Sequence, residues 1–213
     1  ASSASAGCSA GGGVDGGPAY AEPVWRNLID RGAAAAAIPE NYGGAGLGYL
    51  ELCLVAEEAG RHLAPVPLAS SFYLAAEALL RGGSEAQKQR WLPGIARGEL
   101  IATAALGGGE TYLATPALRF ADGALSGRAA VVADGMVAGL AVLRAGDELV
   151  LVDLQSPGVT RKPLSSLDPT RPQAELNFSA TPAEPLRGAK GADLAARVLD
   201  GAAVFLALIG RAH

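Results

Sequence analysis

Apolar and polar positions change rhythm twice along this chain. Up to about residue 98 the apolar residues recur at three- and four-residue steps, the spacing of one helix face. Pro23 suits a first helical turn, where its missing N–H has no partner to lose. Val24, Trp25, Leu28 and Ile29 follow as an apolar stripe, and Gly32 supplies a stop. The alanines 33–37 carry no period and fit helix or loop equally. Pro39 breaks the chain, and Tyr42-Gly43-Gly44-Ala45-Gly46 reads as a loop that packs the helices or, less simply, touches a ligand. The spacing then predicts a helix over Tyr49–Arg61, with Leu50, Cys53, Leu54 and Glu57 on one face. Glu57 there is either a rim residue or a paired buried acid.

Ala64-Pro65-Val66-Pro67 is a stiff connector, after which Ser70 or Ser71 caps a helix running through Leu80 to a stop at Gly82-Gly83. Ser84 with Gln87 three residues on has the form of a capping box. A short helix over Glu85–Leu92 and a second short helical segment ending at Gly98 are expected from it. From Glu99 the helical period is lost. Leu100–Leu106 is apolar throughout, and Ala117–Ala121 with Ala124–Arg128 flank Asp122-Gly123, a strong hairpin signal. Further strands are predicted over Val137–Leu143, Glu148–Asp153, Val159–Pro163 and Ala174–Phe178, with Gly146-Asp147 as a turn. After a linker at Gly188–Gly191, Ala192–Ala212 returns to helical spacing through Leu194, Val198, Leu199, Ala202, Phe205, Leu206 and Ile209. The order is helical, then a compact antiparallel sheet or barrel, then helical again: an α+β chain.

Half of the 213 residues are hydrophobic, enough for a substantial core. A net charge of −4 argues against a nucleic-acid partner, which selects for a basic stripe. The two cysteines, Cys8 and Cys53, make neither a disulfide framework nor a zinc site, and a reducing cytoplasmic setting is expected. No apolar run approaches the roughly 18 residues of a spanning helix. The first 18 residues, rich in Ser, Gly and Ala, read as a disordered low-complexity segment and not as a signal peptide.

Several segments, in order, carry a family likeness: W-R-N-L-I-D-R-G, P-E-N-Y-G-G-A-G-L-G, E-E-A-G-R, G-S-E-A-Q-K-Q-R-W-L-P and, in the β part, L-D-P-T-R-P-Q-A-E-L-N-F. Together they resemble the acyl-CoA dehydrogenases. The resemblance implies an N-terminal helical domain over 19–99, a middle β domain over 100–188, and the start of a C-terminal four-helix domain over 189–213, truncated after about one helix. It also implies FAD as cofactor and an acyl-CoA thioester as substrate. A carboxylate would remove the α-proton while the β-hydrogen leaves as hydride to the flavin. An electron-transfer flavoprotein-type acceptor and a homo- or hetero-tetramer are implied as partners, with neither nucleic acid nor membrane.

Carried over residue by residue, the likeness places flavin contacts at Leu106 and Gly107 and at Val131, Val132 and Ala133. It places no catalytic residue, because the family's glutamate base lies in the C-terminal helices, and no metal ligand. Two departures stand out. Leu106 is followed by Gly107-Gly108-Gly109-Glu110-Thr111 in place of a T-E-P…G-S-D pattern. That glycine run reads as a strand-to-loop turn or a phosphate-cradling loop, although no P-loop lysine follows. In the W-I-T/S-N segment, Val131 stands for the flavin-shielding aromatic and Ala133 for the hydroxyl residue that would bond the ring. Arg171 is a phosphate contact or an ion-pair member, and Glu57-Glu58 a solvated or ion-paired face. His62 complements a helix C-terminus. Three functions remain in view: a flavin-dependent acyl-CoA dehydrogenase, a catalytically degenerate subunit beside a flavin-binding partner, and a non-enzymatic module using the β domain.

Overall fold

The computed structural model describes residues 20–107, 118–168, 170–188 and 191–211. The low-complexity N-terminus, Cys8, Gly108–Thr111 and His213 lie outside the described residues. The leading helices are α1 (Glu22–Asp30), α2 (Tyr49–Arg61), α3 (Glu77–Gly82) and α4 (Glu85–Ala96). A π-helical segment, Ala69–Ala76, runs directly into α3. Helix α1 has Pro in its first turn and buries Trp25, whose ring packs on Phe72 with centroids 5.8 Å apart. The alanines 33–37 form turns and not a helix, and Ala34, Ala35 and Ala36 are buried.

Helix α2 has the expected bounds but turns a different face inward. Leu52, Ala56 and Gly60 are buried, while Leu50 and Leu54 are 69% and 60% exposed. Small residues line the buried face because a final helix, α5 (Gly191–Arg211), packs closely against it. Ser70 and Ser71 do not cap a helix; they sit inside the π-helical segment, buried. The two short segments expected before Gly98 are one helix. Pro93 lies inside α4, where its ring removes one backbone donor without ending the helix.

The capping box forms as expected: Ser84 Oγ accepts from the Gln87 N–H at 3.3 Å, and Gln87 Oε1 accepts from the Ser84 N–H at 2.9 Å. Replacing Ser84 with Ala is expected to cost about 1 kcal/mol of stability, read by urea denaturation. An unchanged midpoint would show that the box contributes nothing.

Among the described residues, eight strands form two four-stranded sheets. One has the order β1-β4-β5-β8, from β1 (Ala102–Ala105), β4 (Leu140–Ala145), β5 (Glu148–Asp153) and β8 (Glu184–Pro185). The other has the order β2-β3-β7-β6, from β2 (Arg119–Ala121), β3 (Ala124–Ala133), β6 (Val159–Leu164) and β7 (Gln173–Pro182). Asp122 and Gly123, both at positive φ, make the β2–β3 hairpin. Among the described residues the pairs are antiparallel with one exception: β1 runs parallel to β4, Ala102 facing Leu140. The β part is therefore a mixed structure within the α+β class. One continuous core joins helices and sheets, with β4 and β5 contributing Leu140, Val142, Leu143, Leu149 and Val150, all fully buried.

Candidate functional site

Where the C-terminal end of α2, the π-helical segment, α5 and the end of β3 converge, a cavity of about 410 Å³ opens. Apolar side chains from α5, the π-helical segment and the connector before it form much of the wall, Leu63, Val66, Leu74, Leu206 and Ile209 among them. The opposite wall is polar. Asp134, Asp168, Thr170 and Arg171 line it, and Ser70 reaches it from the π-helical segment.

Asp134 is fixed by its backbone. It sits at φ 55°, a conformation that Asp tolerates better than most residues. Its N–H donates to Pro172 O at 2.9 Å, and its C=O accepts from the Val137 and Ala138 N–H groups, each at 3.0 Å. Its Oδ2 lies 2.6 Å from the Ser70 hydroxyl, which also lies 3.1 Å from Pro67 O. Burial pushes the Asp134 carboxyl above its ordinary pKa, against the opposing pull of Ser70 and the Arg171 charge. The turn after Asp134 is pinned from β6. Arg161 donates to the carbonyls of Gly135 (3.2 Å), Met136 (3.1 Å), Ala138 (2.7 Å) and Leu154 (2.8 Å). Arg171 itself is exposed and forms no ion pair among the described residues.

The five residues expected beside a cofactor fall on two strand ends. Leu106, just past β1, is buried in the core, and Gly107 is exposed. Val131 is 50% exposed at an irregularity of β3 between Ala129 and Val132, where the register against β7 shifts. Val132 is buried, and Ala133 lines the cavity. The two strands are tied where Thr103 Oγ1 donates to Ala133 O at 2.6 Å.

Other candidates have plainer places. Glu57 pairs with Arg61 at 3.6 Å and Glu58 with Arg61 at 3.3 Å, an ion-paired helix end on the surface. His62 follows that end, its Nδ1 3.3 Å from Glu58 Oε1. Tyr42 is buried, and its hydroxyl donates to the Glu85 carboxylate at 2.9 Å, so the glycine loop packs against α4. Burial raises the Cys53 thiol. A buried acid absent from the expectations is Glu77, which accepts from Arg81 and from the Tyr49 hydroxyl at 2.9 Å. Its i,i+4 partner Arg81 was the available signal. Among the described residues no cluster of His, Cys, Asp or Glu is arranged to hold a metal ion. None of the described helices is long and apolar enough to cross a membrane.

The helices and sheets that frame this cavity recur in one flavoprotein family. A family model described as the N-terminal domain of acyl-CoA dehydrogenases matches residues 15–99. The chain is 32% identical over 144 residues to acyl-CoA dehydrogenase FadE28 of Mycobacterium tuberculosis, across 67% of this chain and 42% of that protein. It is 45% identical over 85 residues to FadE27 of the same organism, across 40% of this chain and 23% of that protein. Among solved structures, the Tcur3481-Tcur3483 steroid ACAD superposes with a TM-score of 0.77 at 33% identity, over 89% of this chain and 53% of that one. The ChsE4-ChsE5 complex from Mycobacterium tuberculosis gives 0.71 at 30% identity, over 84% and 50%. Butyryl-CoA dehydrogenase from Megasphaera elsdenii, at 21% identity and a TM-score of 0.78, shares the fold. The chain belongs to the acyl-CoA dehydrogenase family. It spans less than half the length of the curated relatives it matches and about half of the solved chains.

Proposed function

We propose that this chain builds one side of the acyl-thioester site of a flavin-dependent acyl-CoA dehydrogenase, which carries out α,β-dehydrogenation of an acyl-CoA. The observation that carries this reading is the cavity itself. It is largely apolar, walled by helices on one side, and ends at Ala133 in the segment that resembles the family's flavin contact. Such a pocket strips water from an acyl chain and holds it in one orientation, which is the protein's share of a reaction whose redox chemistry belongs to a cofactor. Arg171, exposed at the cavity's polar side, is suited to an anionic group of CoA. In this reading 19–99 is the helical domain, 100–188 the β domain and 189–213 the beginning of a further helical domain. The setting is cytoplasmic, with an electron-transfer flavoprotein-type acceptor.

The described residues do not fit a complete flavin contact. Val131 offers a half-exposed aliphatic side chain where a ring would stack. Ala133 has no side-chain donor, and its carbonyl is already taken by Thr103. Leu106 turns its side chain into the core, which leaves backbone at Leu106 and Gly107 as the available contact. These features favour a second reading, in which the chain is a catalytically degenerate subunit paired with a flavin-binding partner in a hetero-oligomer. The two-component names of the steroid ACAD and of the ChsE4-ChsE5 complex support it.

Visible flavin absorbance after desalting separates the two readings. A chain that completes its own flavin site is yellow when the full-length protein is purified alone, whereas a degenerate subunit is colourless alone and yellow only when co-purified with its partner subunit. Colour retained by the protein alone would sink the degenerate-subunit reading. Replacing Val131 with Trp and Ala133 with Thr together is expected to raise flavin retention by the chain alone, because it restores a stacking surface and a donor.

A further inference from the structure

We propose that Leu63 grips the ligand at the edge of the cavity, and that the site takes a large apolar acyl group in preference to a short one. The inference rests on the acyl-thioester reading above and names the class of acyl group.

The argument begins with the way α2 ends. The Ala64 N–H donates to Ala59 O at 2.9 Å and the Leu63 N–H to Gly60 O at 3.0 Å. These two bonds make a Schellman motif, in which the residue after the cap turns left-handed and is usually glycine. Here that residue is Leu63, at φ 47°. A Cβ in this conformation crowds the carbonyl oxygen that follows it. The other described non-glycine residues at positive φ, Asp122, Asp134 and Ala180, are all smaller. A leucine therefore sits where glycine would hold the same turn at lower cost. Its side chain returns little to the protein's own packing, because Leu63 is 64% exposed.

What the side chain does line is the cavity. Ala59, Gly60, Leu63 and Ala64 all belong to the wall, so the turn wraps around the cavity's edge. Leu206 of α5 lines it as well and is 45% exposed. A place in the wall combined with exposure to solvent puts both leucines at the mouth. Apolar surface there gains only when an apolar ligand covers it. The space behind the leucines also exceeds a short acyl group. About 410 Å³ is the volume of roughly fourteen waters at about 30 Å³ each. A butyryl group would leave most of that space without dispersion contacts, whereas a long chain or a fused-ring body fills it and still reaches Leu63.

The test measures affinities by isothermal titration with the full-length protein, together with its partner subunit where the two co-purify. The ligands are butyryl-CoA, decanoyl-CoA and 5β-cholanoyl-CoA, the last two separating a long chain from a fused-ring body. At least one of the two large thioesters is expected to bind about tenfold more tightly than butyryl-CoA, the worth of roughly 60 Å² of apolar contact. Leu63→Gly is expected to weaken binding of that ligand about tenfold and to leave butyryl-CoA within about twofold. Leu63→Met keeps the apolar surface and is expected to hold the wild-type affinity. The melting temperature of unliganded Leu63→Gly is expected to hold or to rise by about 2–4 °C, because glycine relieves the left-handed turn. Butyryl-CoA binding as tightly as both large thioesters overturns the proposal. So does an affinity in Leu63→Gly that is unchanged, or that falls equally for every ligand. A lower melting temperature in Leu63→Gly also overturns it, since the leucine would then be a packing residue of the full-length protein. If no thioester binds the wild type, the acyl-CoA reading fails by itself, and decanoate and 5β-cholanate are compared with butyrate by the same method. Tighter binding of a large acid that is lost in Leu63→Gly then upholds the apolar grip. Absence of that difference overturns it.

Discussion

Replacing Gly60 with alanine is expected to destabilise the protein by about 1–3 kcal/mol, the range typical of overpacking. Helix propensity alone predicts the opposite sign, a gain of about 1 kcal/mol for alanine over glycine inside a helix. The contact decides. A Cβ on Gly60 would lie 2.3 Å from Ile209 O and 2.8 Å from Ile209 Cα. These are backbone atoms of α5, so no side-chain rotation relieves the clash, and α5 must move away from α2. Because α5 supplies Ala202, Leu206 and Ile209 to the cavity, the same shift opens one of its walls. Urea denaturation gives the sign directly. A more stable Gly60→Ala protein would mean that the two helices do not approach at this point.

The second large effect is expected at Arg161. Alanine there leaves four backbone carbonyls, at Gly135, Met136, Ala138 and Leu154, without their shared donor. Hydrogen bonds from a charged group contribute about 1.5–3 kcal/mol. A total loss of roughly 2–4 kcal/mol is expected because Arg161 is partly exposed and water can replace some of the bonds. Lysine should recover only a fraction, since a single ammonium cannot span what the planar fork reaches. Hydrogen exchange is the sharper readout. Amides of residues 134–139 should lose protection in Arg161→Ala while those of β4 and β5 keep theirs. Uniform loss across all strands would show that Arg161 supports the β part as a whole and not this turn.

The extent to which such features can be read from the chain differs by element. The bounds of α2 were legible because an apolar period with a glycine loop before it and a basic end after it admits little else. Its buried face was not. Large residues at 50 and 54 outweigh Ala56 and Gly60 in any hydropathy pattern, yet close helix approach selects for small ones. The helix expected to stop at Leu92 runs on through Pro93, although a proline ring removes one bond and crowds one carbonyl. In a late turn of α4 the rest of the helix, with Leu92, Ile95 and Ala96 buried, compensates. The Asp122-Gly123 hairpin and the Glu148–Asp153 strand follow from local chemistry and were visible. The parallel pairing of β1 was not, since strand direction depends on partners distant in sequence. At the site, the segment Val131–Ala133 was identifiable from motif order, but the partnership of Ser70 with Asp134 was not. Ser70 carries the signature of a helix cap, and only the tertiary fold brings it to a residue 64 positions away.

The Ser71 hydroxyl both donates to Ala102 O at 3.0 Å and lies 3.1 Å from the Ala102 N–H that it accepts from. The same Ala102 begins the parallel ladder with β4. One short strand is thus stitched into the leading helices and into a sheet whose other members are made later by the ribosome. Neither half can reach its final form first. The nascent helices must wait with an uncovered strand edge until Leu140–Ala145 emerges, an interval in which non-local pairing is slow and association with other chains competes.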